Sequence, residues 1–158
     1  MNCRLADATA TRAFGQALAC VLGQTPHGLV ISLVGELGAG KTELVRATIQ
    51  ALGHEGPVAS PSYTLIEPYE LSRRTARHMD LYRLGDPEEL EYLGIRDIEA
   101  DDLLFIEWAE RGTGYLPSID IEFTLTYEQT ARRLGAKTNT TRGAAVLERL
   151  APSRHRPG

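Results

Sequence analysis

The chain has 158 residues, 42% of them hydrophobic, which suits one domain with one sizeable core. Charged residues make up 24%, and the formal net charge is −4. That balance excludes a broad basic footprint for nucleic acid and leaves room only for a local one.

Residues 7–22 read as a helix, with Phe14, Ala17, Leu18, Val21 and Leu22 at helical spacing and Gly23 as its stop. A loop, Thr25-Pro26-His27-Gly28, leads into Leu29–Val34. That run is almost wholly apolar, as in a central strand covered on both faces. Next comes Gly35-Glu36-Leu37-Gly38-Ala39-Gly40-Lys41-Thr42, a complete G-x-x-x-x-G-K-[ST] phosphate loop. It opens a helix over 41–52 whose buried face is Leu44, Val45, Thr48, Ile49 and Leu52, ended by Gly53 and Gly56-Pro57.

Ser60-Pro61-Ser62-Tyr63-Thr64 is a hydroxyl-rich loop. Residues 65–71 form a strand interrupted by Pro68, hence near an edge or a bulge. After a short polar turn a second strand runs over 78–84, and the gap predicts an antiparallel hairpin. Asp86-Pro87-Glu88-Glu89 starts a helix with a capping box, ending near Gly94. Leu103–Glu107 is a buried strand ending in a carboxylate. Residues 119–127 form a strand with one wet face, and 142–150 a last short helix. One domain is expected over 1–150, with a disordered tail over 151–158.

Cys3 and Cys20 lie outside any Cys-x-x-Cys or Cys/His spacing and read as free thiols in a reducing cytosol. No apolar run reaches the length of a membrane span, and residues 1–10 lack the regions of a signal peptide. The expectation is a cytoplasmic protein with no membrane association.

The phosphate loop predicts binding of a nucleoside triphosphate with magnesium. Its glycines let the backbone of Glu36, Leu37, Gly38, Ala39 and Gly40 curl around phosphates at a helix N-terminus. Lys41 is expected to reach the outer phosphates, and the Thr42 hydroxyl to ligate magnesium. A carboxylate at a strand end should complete the metal site. Glu107 stands where a Walker-B acid sits, although a surface glutamate can end a strand too. Asp80 is the rival acid, its alternative being a solvated strand face.

Ser60, Ser62 and Thr64 follow the phosphate-loop helix, as a switch-like loop does, and plain turn chemistry is their other reading. Arg132 and Arg133 are candidates to complete the nucleotide pocket, or are simply solvated. Trp108, beside Glu107, is either a core or interface residue or a nucleotide contact. His54 and His155 have no companions and read as surface residues.

The phosphate loop, Ser60-Pro61-Ser62-Tyr63-Thr64-Leu65, His78-Met79-Asp80-Leu81-Tyr82-Arg83 and Ile106-Glu107-Trp108, in this order, closely resemble the bacterial TsaE family. These are the small ATPases of tRNA threonylcarbamoyladenosine biosynthesis, and the likeness runs over about 7–150. The resemblance implies an α/β fold, a P-loop NTPase-like three-layer domain with a mixed, partly antiparallel sheet. It implies ATP and Mg2+ as cofactors and weak, partner-dependent hydrolysis. The implied partners are the TsaD and TsaB proteins, with tRNA contacted indirectly if at all, and the chain alone a monomer. At the matching positions, Thr42 and Glu107 would ligate magnesium, with Asp80 near the γ-phosphate or its attacking water. Arg132 falls where the family has a nucleotide-contacting basic residue, and Thr11 where the N-terminal segment meets the base. Ser62 stands where the family often has threonine and keeps the hydroxyl.

Two other readings remain: a P-loop small-molecule kinase, and a nucleotide-gated binding module without significant hydrolysis. A kinase calls for a lid with several arginines near a substrate pocket, whereas the arginines here are scattered. A GTPase is disfavoured because no N-K-x-D motif exists; Lys137 is followed by Thr138 and Asn139.

Overall fold

The computed structural model describes residues 1–151. Its strands are β1 (Asn2–Leu5), β2 (Leu29–Val34), β3 (Ile66–Glu70), β4 (Thr75–Asp80), β5 (Leu103–Glu107), β6 (Ile121–Glu128) and β7 (Ala131–Thr138). Its α-helices are α1 (Ala8–Gly23), α2 (Lys41–Ala51) and α3 (Thr141–Leu150). The strands form one seven-stranded sheet in the order β1-β7-β6-β2-β5-β4-β3. β2 lies parallel to β5 and β6, and β4 parallel to β5, whereas β1–β7, β6–β7 and β3–β4 are antiparallel. The expected mixed sheet is therefore present. Apart from Ala151, the tail expected to be disordered over 151–158 lies outside the described residues.

The continuous apolar runs explain the centre of the sheet. β2 and β5 are buried along nearly their whole length, because both of their faces are covered. On one face α1, α2 and α3 pack over Ile31, Leu33, Phe105, Ile121 and Phe123. On the other, Val30, Met79, Leu81, Leu90, Leu104 and Ile106 form a second core cluster. The elements over that face are short 3-10 segments at Pro87–Leu93, Ile95–Asp97 and Ala109–Gly112. The segment read as a helix after Asp86 is thus a 3-10 helix. Its capping box forms, but Leu90 is its one buried residue and Gly94, at φ 72°, ends it. So short an element cannot repay the nucleation of an α-helix.

The expected hairpin exists, with β3 and its Pro68 at the sheet edge. β4, however, runs over Thr75–Asp80 and not 78–84. Asp80 Oδ1 accepts from the Tyr82 amide at 3.0 Å, and this local turn bends the chain out of the strand. Asp80 consequently ends its strand in register with Glu107, which ends the next.

Helix α1 buries Thr11, Gly15, Leu18, Ala19, Val21 and Leu22, while Ala17 is exposed. Gly15 is part of this face because a Cβ there would lie 2.7 Å from Ala47 Cβ of α2. Hydrophobic periodicity does not register a glycine as buried. β1 and β7 are likewise unannounced, being short or arginine-rich, with little alternation. Their pairing places Leu5 opposite Arg132 and so brings the start of α1 beside β7.

Asp120, wholly buried before β6, ties three elements together. It accepts from Val30 N at 2.8 Å, Thr140 Oγ1 at 2.7 Å and Arg142 Nε at 2.7 Å. Burial alone would raise its pKa. The Arg142 hydrogen bond, then those of Val30 and Thr140, outweigh burial and hold the carboxyl below its ordinary value. Cys3 and Cys20 are free thiols. Among the described residues, no helix is long and apolar enough to cross a membrane.

Candidate functional site

The loop between β2 and α2 is shaped by its glycines. Gly40, at φ 103°, caps α2 in the left-handed region. A Cβ at Gly35 would lie 2.5 Å from Leu125 O, so only glycine lets the loop press this closely on β6. The β6–β7 hairpin then holds the loop from one side. Tyr127 Oη donates to Leu37 O at 3.0 Å, and Arg132 Nε to Ala39 O at 3.1 Å. Across a trans peptide the carbonyl and the following N–H point opposite ways. Fixing those two carbonyls therefore turns the amides of Gly38 and Gly40 away from the hairpin, the arrangement that favours an anion.

Lys41 opens α2 and is 5% exposed. Its Nζ donates to Gly35 O and to Glu36 O, the latter at 3.1 Å, and lies 4.4 Å from the centre of the Trp108 ring. Burial pushes its pKa down, partly offset by the carboxylates of Glu107, Asp80 and Glu110. Trp108 adopts a left-handed conformation, φ 58°, directly after β5.

Thr42 Oγ1 donates to Glu107 Oε1 at 2.8 Å, and His78 Nε2 lies 2.8 Å from the same oxygen. Beside this group, Asp80 Oδ2 accepts from Ser60 Oγ at 2.7 Å, and Ser62 Oγ lies 3.4 Å from Ser60 Oγ. The parallel register of β4 and β5 sets the two carboxylates side by side at the C-terminal edge of the sheet. An open crevice outside strand C-termini is where α/β sheets place their ligands.

Two adjoining cavities flank the loop. The larger, about 390 Å³, is lined by Leu37, Gly38, Ala39, Gly40, Lys41, Thr42, Ser60, Ser62, Asp80, Glu107 and Trp108. The smaller, about 300 Å³, is lined by Thr11 and Arg132 and shares Ala39 and Gly40 with the first. Three of the residues singled out in the sequence stand apart, among them Arg133, which pairs with Glu128 outside both cavities. The Glu36 side chain is exposed and faces a separate groove. Thr64 is exposed too, 3.4 Å from Glu67 Oε2 and outside both cavities.

The site also contains residues that sequence reasoning passed over. His78 is buried against Glu107, and Glu43, Tyr82 and Arg83 border the larger cavity. The signal for His78 was strand alternation: a residue two before Asp80 shares its face. Chemically, Thr42 and Glu107 offer a hydroxyl and a carboxylate oxygen. That is the hard-oxygen set magnesium takes when phosphates and water complete its shell.

The chain matches the family model described as threonylcarbamoyl adenosine biosynthesis protein TsaE over residues 5–134. It is 43% identical over 137 residues to the tRNA threonylcarbamoyladenosine biosynthesis protein TsaE of Haemophilus influenzae, covering 85% of this chain and 87% of that protein. To the TsaE protein of Rickettsia bellii it is 36% identical over 130 residues, covering 82% and 88%. Its fold resembles the crystal structure of Bacillus subtilus YdiB, with a TM-score of 0.75 and 24% identity, covering 95% of this chain and 93% of that one.

Proposed function

The chain belongs to the TsaE family and takes part in tRNA threonylcarbamoyladenosine biosynthesis, and from that premise we propose that it is a cytoplasmic, magnesium-dependent ATPase acting on a TsaD–TsaB pair. The reading rests chiefly on one observation. Thr42 and Glu107 are hydrogen bonded on the wall of the cavity that also holds Lys41 and Asp80.

In this reading the phosphates lie against the amides of the 35–42 loop and Lys41 Nζ, which exchanges its bonds to Gly35 O and Glu36 O for phosphate oxygens. The base side occupies the smaller cavity, between Thr11 and Arg132. Thr42 and Glu107 would hold magnesium, which would supply charge neutralisation to the phosphates. Asp80 is steadied by Ser60 on one oxygen and by the Tyr82 amide on the other. It can therefore accept from and orient an attacking water. Ser60 also links Asp80 to the 60–64 loop, which makes that loop the natural reporter of nucleotide state to the partners.

ATP turnover measured alone and with TsaD–TsaB tests the assignment in the wild type, Lys41→Ala and Glu107→Ala. Slow basal turnover, stimulation by the pair and a roughly 100-fold loss in both variants are expected. Phosphoryl transfer to a metabolite, indifferent to the pair, would mark a kinase instead.

A further inference from the structure

His78 is wholly buried in β4 and does not border the larger cavity. Its Nε2 lies 2.8 Å from Glu107 Oε1, the oxygen that also accepts the Thr42 hydroxyl at 2.8 Å. Its Nδ1 is buried and has no hydrogen-bond partner among the described residues. A carboxylate oxygen only accepts, so Nε2 carries the hydrogen of this bond. Leaving Nδ1 unpaired is costly, and an apolar side chain would fill the position without the cost. Packing therefore does not account for a histidine here, whereas its bond to Glu107 does.

We propose that His78 is a positioning residue of the magnesium site: its Nε2–H and the Thr42 hydroxyl together fix Glu107 Oε1, leaving Oε2 as the oxygen presented to the cavity. Glu107 Oε2 has no hydrogen-bond partner among the described residues. Thr42 spends its only hydrogen on Glu107, so its oxygen lone pairs remain open to a metal. The ring and the Thr42 hydroxyl together hold the buried carboxylate in one orientation, so less side-chain freedom is lost when a cation binds. Partners that orient a ligating carboxylate in this way typically change metal affinity 10–100-fold. The inference rests on the reading of Thr42 and Glu107 as magnesium ligands.

The test is Mn2+ binding by the full chain with ADP, followed by the electron paramagnetic resonance signal of free Mn2+. The proteins are wild type, His78→Leu, His78→Asn and His78→Gln. ADP affinity in EDTA, read from Trp108 fluorescence, controls for the nucleotide pocket. The Leu and Asn variants are expected to weaken Mn2+ binding about 10–100-fold, with metal-free ADP affinity within about twofold. The Gln amide nitrogen reaches where ring Nε2 sits, so that variant should hold Mn2+ nearly as the wild type does. If Leu and Asn fail to fold, Gln decides alone: retained Mn2+ affinity upholds the inference and lost affinity overturns it. Wild-type Mn2+ affinity in Leu or Asn overturns it, as does a Gln variant that does not fold, since ring packing is then what the position supplies. A wild type that binds ADP but no Mn2+ removes the metal reading and this inference together. Wild-type binding with indifferent variants removes the inference alone.

Discussion

Thr42 Oγ1 and Glu107 Oε1 lie 2.8 Å apart although 65 positions of sequence separate them. The bond joins the first turn of α2 to the end of β5, so the loop and the acid are registered on each other by the central sheet. Glu107→Gln keeps an oxygen for Thr42 and removes the charge. It is expected to lower magnesium-supported ADP affinity about tenfold while leaving affinity in EDTA unchanged. Trp108 fluorescence titrations with and without magnesium check this, and an undiminished magnesium effect would remove Glu107 from the metal site.

Ser60→Ala should separate chemistry from binding. The hydroxyl donates to Asp80 Oδ2 at 2.7 Å, and the Tyr82 amide alone would then hold that carboxylate. Turnover with the TsaD–TsaB pair is expected to fall roughly tenfold with little change in KM, as for a group that matters at the transition state. A rise in KM at unchanged kcat would place Ser60 in binding instead.

Arg132→Ala should do the reverse. Its guanidinium reaches Ala39 O at 3.1 Å and Gly38 O at 3.4 Å while bordering the smaller cavity. Losing it frees the loop carbonyls and one wall of that cavity. Nucleotide affinity is expected to weaken about tenfold, with kcat at saturation nearly unchanged. Isothermal titration with ADP and steady-state kinetics distinguish the two effects.

Asp120 gives the fold an acid-sensitive joint. Its carboxyl is held below the ordinary value of 3.8, so the unfolded chain binds the proton more readily than the folded one. Its contribution is complete above that value and is lost as pH falls through the lower folded one. Asp120→Ala should cost about 3 kcal/mol at pH 7, by unpairing Arg142 and the Val30 amide. Urea unfolding should show that gap narrowing below about pH 3.8. A constant gap across pH would mean that the cost is packing rather than charge.

Much of this molecule is written locally in its chain. The apolar runs that become β2 and β5 need no partner to be recognised, because burial on both faces leaves only Ser32 and the terminal Glu107 polar in them. The phosphate loop is equally local: its glycines and Lys41 act within eight consecutive residues. Four ordered blocks were enough to indicate the family. What sequence does not carry is anything settled by contact between distant segments. β7 has too little alternation to announce itself and exists because β1 and β6 pair with it on either side. Gly15 is buried only because α2 comes against it. Asp80 and Glu107 become neighbours through strand register, and the Asx turn that ends β4 decides where that register stops. His78, two residues from a carboxylate that was singled out, gains its meaning solely from Glu107 across the sheet. Local composition selects strands, loops and helix starts. Which polar atoms meet is decided by the sheet order, which depends on pairing energies that no short window of sequence contains.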